Sequence, residues 1–231
     1  TPLYSSAASD VYKRQAQGDP WAGVLEGEPG FLRSPDPTTL RVAAVPDADD
    51  PLSAGLGAAQ AIALLGIELH SRRRNRMNGQ ISAWDGKRFD ISVGESFGNC
   101  PQYIQAREFF FSRSPALRFP GAGHERAALN EADRALISQA DTLFVTSYAD
   151  TDDARRRVDV SHRGGKPGFV RVDGNTLTIP DFSGNRFFNT LGNLVINPRA
   201  GLLFIDFERG DVLQLSGRAE VVLDLSLIHI S

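Results

Sequence analysis

One block of this chain occurs twice. Gly27-Glu28-Pro29-Gly30-Phe31-Leu32 returns as Gly165-Lys166-Pro167-Gly168-Phe169-Val170, 138 positions later. At the same offset Leu64-Leu65-Gly66-Ile67-Glu68-Leu69 returns as Leu202-Leu203-Phe204-Ile205-Asp206-Phe207, and Gly79 returns as Gly217. A period this long describes a duplicated, domain-sized unit, because solenoid repeats run about 20–50 residues. Two like units in one chain can face each other across a pseudo-two-fold axis, as a homodimer does, with a ligand site between them.

Within each copy, strand patterns dominate. Leu40-Arg41-Val42, Phe89 to Val93, Thr142 to Ser147, Thr176 to Ile179, and Val212 to Leu215 continuing through Val221 alternate or are β-branched. The run Leu202 to Phe207 is apolar almost throughout, which suits a strand buried on both faces. Glu208 to Asp211 reads as the hairpin turn that follows it. Helical spacing marks Glu125 to Ala140, Asn185 to Ile196 (stopped by Asn197-Pro198) and, more loosely, Leu52 to Ala63. The expectation is a mostly β protein with peripheral helices, each copy closed as a small barrel that protects its strand edges. The first copy would span 16–109, a Pro-, Gly- and Arg-rich linker 110–124, and the second copy 125–223.

Both ends stand apart from this pattern. Leu3 to Gln15 and Leu225 to Ser231 resemble translated sequencing-library adapters. The sequence therefore reads as a fragment cut at both ends, with the tails excluded from the fold.

Composition excludes several function classes. A net charge of −3 gives no broad attraction for nucleic acid or membrane, so any basic site must be local. The single cysteine, Cys100, rules out an intrachain disulfide framework or a four-cysteine zinc site and makes a reducing, cytoplasmic setting the expectation. No apolar run approaches the roughly 20 residues of a membrane helix. The four histidines lack metal-ligand spacing, and no Gly-x-Ser-x-Gly elbow or Walker loop is present.

Anion-binding chemistry concentrates in the second copy. Asp159-Val160-Ser161-His162-Arg163-Gly164-Gly165 places a hydroxyl, an imidazole and a guanidinium before two glycines, so that backbone amides and Arg163 could meet an anion together. Ser183-Gly184-Asn185-Arg186 leads a helix whose dipole would favour phosphate. Solvated turns suit both segments as well, since Gly and Asn are turn residues. The first copy carries Gly23, Val24, Leu25 and Glu26 opposite Ser161 to Gly164, and acidic Asp47, Asp49 and Asp50 opposite the second segment. It has its own basic run, Arg72-Arg73-Arg74-Asn75-Arg76, which fits either a solvated hairpin or a second wall reaching a ligand on the other copy.

The stretch Asp159 to Val170, with Ile179-Pro180-Asp181-Phe182-Ser183-Gly184-Asn185-Arg186, Thr190-Leu191-Gly192-Asn193 and Gly201 to Phe207, resembles the pyridoxamine 5′-phosphate oxidase-related flavin-binding split-barrel family. The longer bacterial members are the most similar. Arg72 to Gly79 and Gly98-Asn99-Cys100-Pro101-Gln102-Tyr103-Ile104 resemble their amino-terminal half. The resemblance implies tandem split barrels, here truncated at both ends, arranged as a pseudo-dimer within the chain or as a homodimer. It implies FMN (or FAD or a deazaflavin) in the groove, and a small-molecule substrate or NAD(P)H as redox partner. By position it implies flavin contacts from Ser161, His162, Arg163, Gly168, Phe169, Asn185, Arg186 and Thr190, with Arg73, Arg74 and Arg76 from the facing copy. The Arg-x-x-x-Leu-Lys run of the oxidases proper is missing, so vitamin B6 oxidation is not expected. Some relatives carry a downstream ferredoxin-reductase-like module. The function expected is that of a flavin-dependent oxidoreductase or its flavin-binding part. The alternatives are a non-enzymatic flavin- or haem-binding sensor or electron carrier, and a scaffold whose cofactor site has decayed.

Overall fold

The structure is a computed structural model that describes residues 3–8, 18–98, 101–108, 110, 113–114, 123–150, 156–184, 188–222 and 227–230. The first copy supplies β1 (Leu3–Ala8), β2 (Trp21–Leu25), β3 (Leu32–Asp36), β4 (Thr39–Val42), β5 (Ala61–Glu68), β6 (Arg73–Trp84) and β7 (Phe89–Phe97). Helix α1 (Glu131–Gln139) then leads into the second copy's β8 (Thr142–Asp150), β9 (Arg156–Gly164), β10 (Arg171–Asp173) and β11 (Thr176–Pro180). Helix α2 (Asn189–Ile196), β12 (Arg199–Ile205), β13 (Val212–Val222) and β14 (Leu227–Ile230) complete it. The protein is mostly β, in two antiparallel sheets. Their strand orders are β2-β1-β5-β6-β7-β4-β3 and β9-β8-β12-β13-β14-β11-β10. The orders match strand for strand, so the duplication seen in three short motifs extends to the whole topology.

Two expectations are corrected here. The terminal segments excluded as tails are strands in both sheets: Leu3–Ala8 pairs with β2 and β5, and Leu227–Ile230 with β11 and β13. By register Tyr4 takes the place of Leu143, and Ile230 that of Ile91, because a sheet whose neighbours present open ladders accepts any extended segment able to complete their hydrogen bonds. Closure is the second correction. Among the described residues no pairing joins β2 to β3 or β9 to β10, so neither sheet closes into a barrel. Closure is not needed to protect the β2 and β9 edges: β5 packs on β9 and β12 packs on β2, so each of these edge strands is covered by the other copy.

That reciprocal packing rests on strands with two apolar faces. In β5, Ala61, Ala63, Leu65 and Ile67 enter a core shared with Phe144, Tyr148, Val158, Val160 and Leu203 of the second copy. Ile62 and Leu64, on its other face, belong to the first copy's own core with Leu25, Val42, Ile81 and Phe89. β12 repeats the arrangement, with Leu203 toward the shared core and Ala200, Leu202 and Phe204 inside the second copy. The apolar run that opens at Leu202 is therefore buried on both faces through Phe204, and exposure begins at Ile205 where the strand ends.

The repeated Gly-x-Pro-Gly-Phe motif is a turn. Phe31 N–H donates to Glu28 O (2.9 Å) and Phe169 N–H to Lys166 O (3.0 Å). The glycine after the proline has φ +92° at Gly30 and +85° at Gly168, as a type II turn demands at its third position. Each phenylalanine ring lies against the motif's first glycine, where a Cβ would sit 2.5 Å from Phe31 Cγ or 2.6 Å from Phe169 Cγ.

The helices are shorter than their sequence patterns. α1 begins only after Asn130, which with Asp133 forms a capping box. The described part of the second helical pattern, α2, begins at Asn189. The expected helix at 52–63 is a 3-10 turn at Pro51–Gly55, capped by Asp50, and the chain is already strand at Ala61. Gly55 and Gly57 stop it, and Ile62, Leu64 and Leu65 are worth more in two buried faces than on a helix. The hairpin at 208–211 is present, with Gly210 at φ +81° and Asp206 accepting from the Glu208 and Arg209 amides. No helix among the described residues is long and apolar enough to cross a membrane.

Close approach of the two copies makes one glycine indispensable. A Cβ on Gly201 would lie 2.4 Å from Pro20 O and 2.6 Å from Thr146 Cγ2. Gly201→Ala is expected to lower stability by about 1–3 kcal/mol. Gly192→Ala, exposed within α2 with open space around it, is expected to raise it by about 0.5–1 kcal/mol. Urea unfolding midpoints of the two variants test the assignment, and equal responses would refute it.

Candidate functional site

The segment Asp159 to Gly164 lies in β9, an extended edge strand and not a solvated turn, and the strand period sorts its side chains. Val158, Val160 and His162 face the shared core, while Asp159, Ser161 and Arg163 point the other way, toward α2 and the segment after β11. Asp159 is 2% exposed and sits at the centre of a polar cluster. Ser161 Oγ and Thr190 Oγ1 each donate to its Oδ2 at 2.9 Å. Arg76, from β6 of the first copy, places Nη1 2.9 Å from Asp159 Oδ1 and donates to Ser161 Oγ at 2.9 Å. The Arg76 guanidinium also lies over the Phe97 ring, 4.3 Å from its centroid. Arg163 pairs with Asp181 at 3.2 Å and donates to His162 O, and its Nε is buried without a hydrogen-bond partner.

The pseudo-two-fold counterpart of this cluster has a different content. Where Arg76 crosses from the first copy, Gln214 crosses from the second and donates to Ala22 O and Asp50 Oδ1, both at 2.9 Å. Gly23, at the place of Ser161, has no space for a side chain: its Cβ would meet Asp50 Oδ2 at 2.9 Å and Leu52 Cδ2 at 3.0 Å. Burial raises the Asp50 carboxyl above its ordinary range, against hydrogen bonds from Gln214 and the Leu52 amide. At the equivalent position one seam is filled by Gln214 and Asp50, beside the Arg199–Asp19 ion pair, while the other collects two guanidinium groups, two hydroxyls and two carboxylates.

Of the residues expected to touch a flavin, Ser161, Arg163, Thr190 and Arg76 converge. His162 lies on the opposite face of β9, its ring edge-on to Phe144 at 5.8 Å and its Nε2 buried without a partner. Burial, with the charges of Arg74, Arg163 and Arg107, holds the imidazole down to about 3, so it is neutral at pH 7. Arg74 reaches this region through its charge on His162, whereas Arg73 is exposed on the other face of β6. Gly168 and Phe169 form the type II turn, and the first copy has the same turn without the site. Asn185 and Arg186 lie outside the described residues, as does Cys100.

Sequence reasoning did not single out Asp159, Asp181 or Arg107. Asp159 carried a usable signal: it stands two and four positions before Ser161 and Arg163, one face of a strand. Arg107 carried none, because its ion pair with Asp141 and its stacking on Phe207 (4.1 Å) arise only when the chain crosses between copies.

No family model and no curated protein matches the chain. Among solved structures, the Bacillus subtilis inhibitor of motility MotI/DgrA aligns at 8% identity and a TM-score of 0.26, over 98% of this chain and 84% of that one. The K. pneumonia MrkH–c-di-GMP complex aligns at 10% identity and 0.24, over 98% and 76%. At these TM-scores neither likeness carries an argument about this protein.

Two outcomes follow from the geometry. Arg76→Met strands a buried carboxylate and is expected to cost about 3–5 kcal/mol, most of it recovered in Arg76→Met/Asp159→Asn; urea denaturation of the three variants measures this, and a near-neutral Arg76→Met would contradict the bridge. The second concerns pH. Because the His162 pKa is lowered on folding, the unfolded chain binds the extra proton between about 3 and its unfolded value near 6.5. Stability contributed by His162 is therefore complete above about pH 6.5 and falls as pH decreases toward 3. His162→Phe is expected to flatten the unfolding midpoint between about pH 6.5 and 4.5, above the range where carboxylates titrate. An unchanged slope would remove His162 as its source.

Proposed function

We propose that this protein is a flavin-dependent oxidoreductase, or the flavin-binding part of one, with the cofactor's phosphate on the polar seam between its two copies. The single observation carrying this reading is the asymmetry between the two seams. A protein that needed only to join its copies could close both as Gln214 and Gly23 close one. Instead the other seam keeps Arg76 and Arg163, from different copies, beside Ser161 and Thr190.

The donor set fits a phosphate monoester. Arg163 Nε is a buried, charged donor lacking an acceptor, a costly arrangement that an incoming phosphate oxygen would relieve. Ser161 adds a hydroxyl, and Arg74 and Arg107 contribute positive potential. Asp181 balances Arg163, whose Nε remains free to meet a phosphate oxygen, while Asp159 keeps Arg76. The flavin, when bound, would supply hydride and single-electron chemistry. The chain's part would be to anchor the phosphate through Arg163 and Ser161, hold the copies in register through Arg76–Asp159, and keep a neutral His162 beneath the strand. NAD(P)H or a reduced small-molecule substrate would be the electron source.

The test is titration of the protein with FMN, followed by difference absorption in the flavin bands. Saturable binding is expected, with Arg163→Ala weakening it about 10–100-fold, the worth of a charge-assisted hydrogen bond. Bleaching of the bound chromophore by NAD(P)H would support the oxidoreductase reading over a passive carrier. A protein that takes up no FMN would overturn the proposal.

A further inference from the structure

The segment leaving the first copy, Gln102 to Arg107, straps across the second. Ile104 is buried in the shared core, Gln105 reaches Gly165 O, and Arg107 pairs with Asp141. At its start Tyr103 adopts φ +64°, a left-handed conformation that a bulky residue rarely takes. Its carbonyl presses on Gly164, where a Cβ would lie 2.1 Å from Tyr103 O. Its hydroxyl donates to Ser183 O at 2.8 Å, and its ring stands 5.5 Å from that of Phe182, tilted by 31°.

This pair is built but not buried: Tyr103 is 42% and Phe182 44% exposed. It also stands next to the anchoring guanidinium along the chain: Asp181, the ion partner of Arg163, precedes Phe182, and the Tyr103 carbonyl contacts Gly164 on the other face of β9. A strained backbone and a cross-copy hydrogen bond hold two aromatic faces open to solvent beside a cation with an unpartnered N–H. The pair is thus held in place by named contacts while leaving ring surface accessible.

We infer that Tyr103 and Phe182 form a stacking platform for the planar ring of the ligand whose phosphate Arg163 holds, an isoalloxazine on the reading above, on which this inference rests. The occupant has to be a flat, conjugated ring carrying a phosphate ester, since only that satisfies the aromatic faces and the cation together. The strap then has a functional role besides joining the copies: the first copy contributes one wall of the second copy's site.

Equilibrium titrations of the full chain with FMN and with riboflavin, read by quenching of flavin fluorescence, separate platform from anchor. Phe182→Ala and Tyr103→Ala are expected to weaken both flavins by about tenfold, leaving the preference for FMN over riboflavin intact, and Tyr103→Ala to relieve the quenching as well. Tyr103→Phe keeps the ring and is expected to retain the affinity while losing the quenching, which needs the electron-rich phenol. Arg163→Ala should do the reverse, erasing the preference for FMN while preserving the quenching of riboflavin. Phe182 is half exposed, so its alanine variant is expected to keep the wild-type unfolding midpoint. Wild-type affinity in Phe182→Ala would overturn the platform while leaving the flavin reading standing. Failure of the wild type to bind either flavin would overturn both.

Discussion

Strands β5 and β12 have water on neither face, and this two-sided burial organises the molecule. Each belongs to the core of its own copy through one set of alternate residues and to the shared core through the other. At about 25 cal/mol per Å² of apolar surface, a strand buried on both faces contributes roughly twice what a half-exposed one does. The two copies are consequently parts of one hydrophobic structure. Gly201, pressed against Pro20 O, marks how tightly they meet.

From that packing the polar seam follows. Laying β5 on β9 brings β6 beside the edge of the second sheet and lets Arg76 reach Asp159. The pseudo-symmetric operation brings β13 beside β2 and lets Gln214 reach Asp50. Similar geometry with different side chains puts Gln214 on Asp50 at one seam and Arg76 on Asp159 at the other. A buried ion pair is weak evidence for stability, because desolvation offsets much of its attraction. Both seams carry an ion pair between the copies, Arg76–Asp159 at one and Arg199–Asp19 at the other, but only the first sits among hydroxyl groups on a strand edge.

Much of the architecture was legible because it rests on local pattern. The duplication, the strands at 39–42, 176–180 and 212–222, the buried run at 202–205 and the hairpin at 208–211 all follow from spacing and turn chemistry. Leu52 to Ala63 misled because its apolar spacing suits a helix, while the two cores on either side of the segment claim it as a strand. The terminal segments misled for a related reason: their resemblance to adapters says nothing about whether an open ladder will pair with them. Ser161, Arg163, Thr190 and Arg76, grouped by the sequence reading, do meet in one polar cluster. Gly168 and Phe169 were not separable from ligand contacts until their turn was seen in both copies.

The amino-acid sequence by itself determined the repeat, the β class and which copy carries the basic and hydroxyl groups, because these depend on residue identity and short-range periodicity. Only the tertiary structure decided that Asp159 is the hub of the seam, that Arg76 crosses from one copy to reach it, that His162 faces away, and that Tyr103 and Phe182 meet. Those facts join residues separated by tens of positions, and their distances are set by how two sheets pack rather than by anything local to either.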